Sequence, residues 1–284
     1  MPRSPLDTDW RRTAAVLFDA PDASNIYVRI EVNAEPVEAY VAETGRGRRL
    51  GFAHFVAAAA ARAVAHDAPA LNGYLVRGRV RARDRVTVSM TAPVPGTDGL
   101  IAVVLEDADR RPVGELAEDV VRSLRATRDR AARGRLAEYV VAGVPSAVGR
   151  GAFRVARGLA RMGVPMGRFD LAPESYGAVV VTNMEPMQRG LPRDDVSGTT
   201  TFVPLLPASR NATVIAVLSP RDKVVPVGGQ AIVQRRATLC FTFDHRLVDG
   251  LEVGAFTNGV VRRLLQPAAL DRAPSDLAEP TPEA

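Results

Sequence analysis

The chain has three histidines, and one of them, His245, stands in the run Asp244-His245-Arg246-Leu247-Val248-Asp249-Gly250, between an apolar stretch and an amphipathic one. Imidazole is the side chain whose ordinary titration lies nearest neutrality, so a histidine fixed at the end of a strand and facing a cleft can act as a general base. Asp249 can fix the geometry of such a turn by pairing with an arginine, and Gly250 lets the chain swing sharply into a helix. As a bare pattern H-x-x-x-D-G is weak evidence, because a lone histidine beside a turn is more often structural. His54 and His66 fall within and near the end of a helical stretch, and both are taken as structural. The single cysteine, Cys240, cannot form an internal disulfide. It lies inside the apolar run ATLCFTF, where a free cysteine behaves as a small hydrophobe rather than a nucleophile. No cluster is spaced like zinc ligands, so no bound metal is expected.

The elements that must position His245 are legible from periodicity. A strand over 237–243 leads into the histidine, and an amphipathic helix over 253–265 follows it. Upstream, residues 26–33 (IYVRIEVN) alternate like a half-buried strand, and 37–43 and 51–66 read as helices, the second Ala-rich with Phe52, Phe55, Val56 and Val64 at core spacing. Strands are expected at 73–77, 86–92, 99–105, 178–182 and 213–218. The stretch 224–233 reads as a hairpin turning at Gly228-Gly229, and 113–133 as a helix with one apolar face. Mixed α and β order without a repeat or a linker implies one α+β domain over residues 1–270. A basic helical segment is inserted at about 136–166, and the Pro- and acid-rich tail is expected to be disordered, from Pro267 by composition and over 271–284 at the least.

With 284 residues, 46% hydrophobic and 24% charged, the chain can bury a full core. Its first residues carry scattered charge and not the pattern of a signal peptide. The longest apolar stretch is broken by Arg62, too short for a membrane span. A cytoplasmic protein is expected. The net charge of +5 comes almost wholly from arginine, Lys223 being the only lysine; no basic patch is interleaved with aromatics, so nucleic acid is not the expected partner. Arg150, Arg154, Arg157 and Arg161 alternate with apolar residues on the inserted segment. Such a helix either lies on an anionic membrane surface or caps a hydrophobic opening of its own fold, and the second reading is preferred.

The wider chain changes the weight of the histidine motif. FTFDHRLVDG resembles the D-H-R-x-x-D-G signature of the dihydrolipoyl acyltransferase catalytic domain of 2-oxoacid dehydrogenase complexes. Other segments resemble that family in the same order: AVAHDAPALNGYLVRGRV, VSMTAPVPGTDGLIAVVLEDADRRPVGELA, and VVVTNM. The opening LDTDWRRTAAVLFD is similar to the D-x-x-x-W-x-R start of chloramphenicol acetyltransferase, a protein of related fold. The resemblance implies a chloramphenicol acetyltransferase-like two-layer sandwich, a mixed β-sheet flanked by helices. It implies His245 as general base on a thiol, Thr182 in place of a family serine that steadies the oxyanion, and an Arg12 to Asp249 ion pair. Asn183 would support the adjoining loop, and with Gly250 it is placed on the coenzyme A-binding side. Coenzyme A is then a substrate, and the resemblance implies a site in a channel between subunits of a homotrimer, with the histidine and the oxyanion donor contributed by neighbouring subunits.

Departures from the family narrow this expectation. Neither a lipoyl domain nor a subunit-binding domain is expected on this chain. Lys223 in RDKVV mimics a lipoylation site, yet it falls in the catalytic domain's hairpin and is not read as a lipoyl-lysine. The polar ending RAPSDLAEPTPEA replaces the apolar C-terminus that builds cubic cores, so assembly is expected to stop at the trimer. The reading is therefore an acyltransferase moving an acyl group between coenzyme A or lipoyl-type thiols, or from acyl-coenzyme A to another acceptor. The alternatives are an inactive trimeric scaffold that binds an acyl ligand or a partner, and a membrane-surface protein acting through the basic segment.

Overall fold

The computed structural model describes residues 24–44, 49–93, 100–133, 176–184 and 210–276, with a few isolated positions between them. Strand β1 (Asn25–Asn33) is followed by helices α1 (Glu35–Thr44) and α2 (Phe52–His66), then a small separate hairpin of β2 (Gly73–Val76) and β3 (Arg79–Ala82). Next come β4 (Val88–Pro93), β5 (Leu100–Leu105), α3 (Val113–Arg133), β6 (Val179–Asn183), β7 (Thr213–Val217), β8 (Arg221–Val227), β9 (Gln230–Asp244), α4 (Gly250–Leu264) and α5 (Pro267–Leu270). The main sheet has seven strands in the order β1-β9-β7-β6-β4-β5, with β8 also paired to β9. It is mixed: β4, β6 and β7 run parallel, while β1, β5 and β9 are antiparallel to their neighbours. This is the α+β two-layer arrangement expected from the sequence.

Each central strand buries both faces, which is why β6, β7 and the second half of β9 read as near-continuous apolar runs rather than alternating ones. On one face, Val179, Val181, Ile215, Leu239, Phe241 and Phe243 meet the helices. Phe241 and Phe243 stack with centroids 5.9 Å apart, and Phe256 of α4 presents its edge to both. The run Ala57–Ala61 of α2 is fully buried, and side chains this small let the helix lie close to the sheet and to α4. On the opposite face, Val180 and Val214 pack with Leu205, and Ala216 and Cys240 with Leu218, Met184 and Val203.

Two glycine features shape the sheet. Gly177, just before β6, has φ +70°, and a Cβ there would sit 2.2 Å from the Thr87 carbonyl oxygen. Only glycine admits that approach, which brings β6 alongside β4. Gly228 and Gly229 both have positive φ and close the β8–β9 hairpin as anticipated.

The expectation of disorder from Pro267 is corrected by the structure. Pro267 and Leu270 are buried in α5, and Asp271 accepts a hydrogen bond from the Tyr40 hydroxyl at 2.9 Å. Arg62, buried inside α2, donates to the carbonyls of Ala269 and Arg272, each at 2.6 Å, and of Leu270 at 3.3 Å. The composition of the segment is polar, but its two buried apolar residues and the hydrogen-bond demand of a buried guanidinium hold it in place. Strand β3 was not foreseen either. Its sequence RVRA buries only Val80, too little apolar signal to stand out.

Candidate active site

Strand β9 runs without a break into a tight turn. The Leu247 and Val248 amides point back to the Asp244 carbonyl at 2.9 and 3.3 Å, and the Asp244 amide bonds Ala212 O at 2.9 Å. The His245 amide donates to the Ser24 carbonyl at 2.8 Å, just ahead of β1. Leu247 and Val248 are buried and pin the turn from below. Asp244 is also buried and grips Arg246 through both carboxylate oxygens, at 2.9 Å to Nε and 2.6 Å to Nη2, while Oδ1 takes the Arg246 amide at 3.0 Å. Burial works against the Arg246 charge, but the hydrogen bonds and charge of Asp244 outweigh it, and the guanidinium pKa is raised. The histidine backbone is thus fixed by the residues on either side of it.

The His245 side chain remains 31% exposed, and its Nδ1 lies 3.2 Å from Asp249 Oδ1. Asp249 is the N-cap of α4. Its extended backbone (φ −115°, ψ −175°) makes the entry to the helix, and its amide donates to Glu252 Oε2 at 3.0 Å, half of a capping box. Gly250 starts the helix with an ordinary φ, and a Cβ there would meet nothing within 4 Å. The turn therefore does not require glycine, contrary to the sequence expectation, because Asp249 carries the change of direction.

Thr182 sits near the end of β6, half-buried, with Asn183 exposed beside it. Thr91 Oγ1 and Thr182 Oγ1 are hydrogen-bonded at 2.8 Å, and Met184 Sδ lies 3.9 Å from the Thr182 oxygen. Sheet register separates this hydroxyl from the histidine. Thr182 is level with Ala216 of β7 and, through it, with Cys240 of β9. His245 lies five residues further along β9, about 16 Å in the strand direction, with two strand spacings of about 5 Å each between them. Within one chain the histidine and the threonine are at opposite ends of the sheet and do not meet.

Arg12 lies outside the described residues, as do the four arginines of the inserted segment, so its pairing with Asp249 rests on the sequence alone. Cys240 is fully buried. His54 Nδ1 accepts the Gly51 amide at 3.0 Å, and burial lowers its pKa. Lys223 pairs with Glu31 at 2.6 Å, and the hydrogen bond from that ammonium leads the causes that lower the Glu31 pKa. Among the described residues no group of His, Cys, Asp and Glu could hold a metal ion, and no helix is long and apolar enough to cross a membrane. Sequence reasoning missed two contributors. The Asp244–Arg246 clamp was visible as the D-x-R flanking the histidine. Thr91 had only the S-x-T of β4 to announce that hydroxyls share one face.

Comparison with known proteins places these elements. Residues 196–271, which hold β7, the hairpin, β9 and the whole histidine turn, match the family model for the 2-oxoacid dehydrogenases acyltransferase catalytic domain. Over 221 residues the chain is 23% identical to the dihydrolipoyllysine-residue succinyltransferase component of the mitochondrial 2-oxoglutarate dehydrogenase complex of Saccharomyces cerevisiae, covering 78% of this chain and 37% of the yeast protein. The chain thus spans little more than a third of that relative's length. The fold is similar to that of a probable dihydrolipoamide acetyltransferase from Listeria monocytogenes, with a TM-score of 0.57 at 17% identity, covering 95% of this chain and 92% of the other. It is also similar to the cubic core of the pyruvate dehydrogenase multienzyme complex, with a TM-score of 0.61 at 15% identity, covering 95% and 93%. Residues 196–271 therefore carry the signature of the 2-oxoacid dehydrogenase acyltransferase catalytic domain, on a chain with the fold of the dihydrolipoyl acyltransferase cores.

Proposed function

We propose that the protein is an acyltransferase that moves an acyl group between thiols, coenzyme A being one of them, at a site completed by a second copy of the chain. The observation that carries this reading is the placement of His245. It has a rigid backbone and a partly exposed ring whose Nδ1 lies beside Asp249, in a segment that matches an acyltransferase family model. With Nδ1 turned to the carboxylate, Nε2 is the nitrogen that takes the proton from the incoming thiol. The thiolate attacks the thioester carbonyl, the carbonyl oxygen becomes an oxyanion, and collapse expels the other thiolate, which receives the proton from the imidazolium. No covalent acyl-enzyme forms, and buried Cys240 takes no part.

The oxyanion needs a donor already in place, and the Thr182 hydroxyl supplies it. Because Thr182 and His245 of one chain lie at opposite ends of the sheet, the pair that meets the substrate comes from two neighbouring subunits, and a trimer closes such an arrangement head to tail. Asn183 and Gly250, at the exposed margins of the two halves, line the approach of coenzyme A, and Arg12 steadies Asp249.

The test is thiol release from a panel of acyl-coenzyme A donors of increasing chain length with dihydrolipoamide as acceptor, for wild type and His245→Ala. The expected result is turnover that falls on the order of 10³-fold or more in the variant. Equal rates in both would remove the reading. Sedimentation at micromolar concentration should give the mass of three chains.

A further inference from the structure

Thr91 and Thr182 are direct register partners on the parallel strands β4 and β6, so their side chains leave the sheet on one face, 2.8 Å apart at the hydroxyls. The direction of that bond matters. With Thr91 as donor and Thr182 as acceptor, the Thr182 hydrogen is left to be given away. Among the described residues the acceptor within reach is the Met184 thioether at 3.9 Å, and thioether sulfur is a weak acceptor. A hydroxyl that already accepts a strong bond is polarised into a better donor. One within reach of only a weak acceptor can turn its hydrogen bond to a developing oxyanion without giving up a good one.

We propose that Thr91 is a positioning residue for the oxyanion donor, an inference that rests on the acyl-transfer reading above. It holds the Thr182 oxygen on one side, so that the hydrogen faces outward before substrate arrives. Thr91 itself touches no substrate. Its contribution is made in the transition state, where the oxyanion exists, and not in the binding of either thiol. The bland alternative is a hydroxyl pair that merely ties two strands together, which would act on stability and leave kcat alone.

The experiment measures kcat and KM, with the fastest donor of the acyl-coenzyme A panel and dihydrolipoamide, for wild type, Thr91→Val, Thr91→Ser, Thr182→Ala and the Thr91→Val/Thr182→Ala double variant, with thermal melting as the control for folding. Thr91→Val should lower kcat about tenfold with KM within about twofold. Thr91→Ser, which keeps the donor, should recover kcat to within about twofold. In the Thr182→Ala background Thr91→Val should cost nothing more, since there is no hydroxyl left to orient. An unchanged kcat in Thr91→Val beside a fall in Thr182→Ala would overturn the role of Thr91 while leaving Thr182 in place. Additive losses in the double variant would overturn it too. An unaffected Thr182→Ala, or a wild type without turnover, would sink the oxyanion reading and this inference with it. Should Thr91→Val fail to fold, Thr91→Ala against Thr91→Ser makes the same comparison.

Discussion

The two ends of the sheet are built on different plans. At the histidine end, most of the atoms that fix His245 lie within a few residues of it: the Asp244 carboxylate on Arg246, the backward-pointing amides of Leu247 and Val248, and the Asp249–Glu252 cap. At the threonine end, the Thr182 hydroxyl is held by Thr91, 91 residues earlier in sequence, and the neighbouring Met184 amide by Val217 O at 2.8 Å. One half of the proposed site is a local motif, and the other exists only once three strands have found their register. A base must be fixed in position and keep a ring nitrogen free, whereas an oxyanion donor needs only one hydrogen aimed correctly, which a neighbouring strand can supply.

After loss of His245 itself, the largest effect should come from breaking the local plan. Asp244→Ala leaves the Arg246 guanidinium without its clamp, with an expected loss of about 3 kcal/mol in denaturant unfolding. Activity should fall roughly 10²-fold as the turn carrying His245 loosens. Thr182→Ala tests the other end: a fall of about 10²-fold in kcat without a change in melting temperature, and a smaller loss than that of His245→Ala. A result in which the threonine end destabilises and the aspartate end does not would reverse the comparison.

His54 gives a milder contrast. Burial lowers its pKa in the folded chain, so folding favours the neutral ring, whose Nδ1 accepts the Gly51 amide. The sign follows: this contribution is complete above the ordinary histidine value of about 6.5 and is lost as pH falls through the lower folded value. Melting curves from pH 7 to pH 5 should fall less steeply for His54→Gln than for wild type. The smallest effect is expected from Cys240→Ala, which should keep kcat within about twofold and cost about 1 kcal/mol of packing. A dead Cys240→Ala protein that still melts normally would contradict transfer without an acyl-enzyme.

The same contrast explains what the sequence made legible. The histidine turn, the helix after it and the apolar strand before it are encoded within residues 237–265, so periodicity and the D-H-R-x-x-D-G run disclosed them. The β8–β9 hairpin was equally plain from Gly228-Gly229, although β9 extends from Gln230 through the whole run to Asp244 as a single strand. Thr91 was invisible, since no local pattern tells which residue of β4 will lie level with Thr182. The separation of Thr182 from His245 was implied by the family resemblance, which gives the two groups to neighbouring subunits, but no residue pattern shows it. It follows from the pairing of β6 with β7 and of β7 with β9, which no single segment encodes. Gly250 misled in the opposite direction: a glycine after an aspartate suggests a strained turn, but the backbone there is ordinary.

The grip of Arg62 on the segment after α4 sets a boundary for anyone who shortens or fuses this protein. Those carbonyls are the guanidinium's counterpart inside the helix layer, and burial already pushes its pKa down. Cutting the chain ahead of Ala269 would leave the buried Arg62 guanidinium with the long contact to the Arg111 carbonyl at 3.5 Å in place of those bonds, whereas additions beyond residue 276 leave that anchor intact.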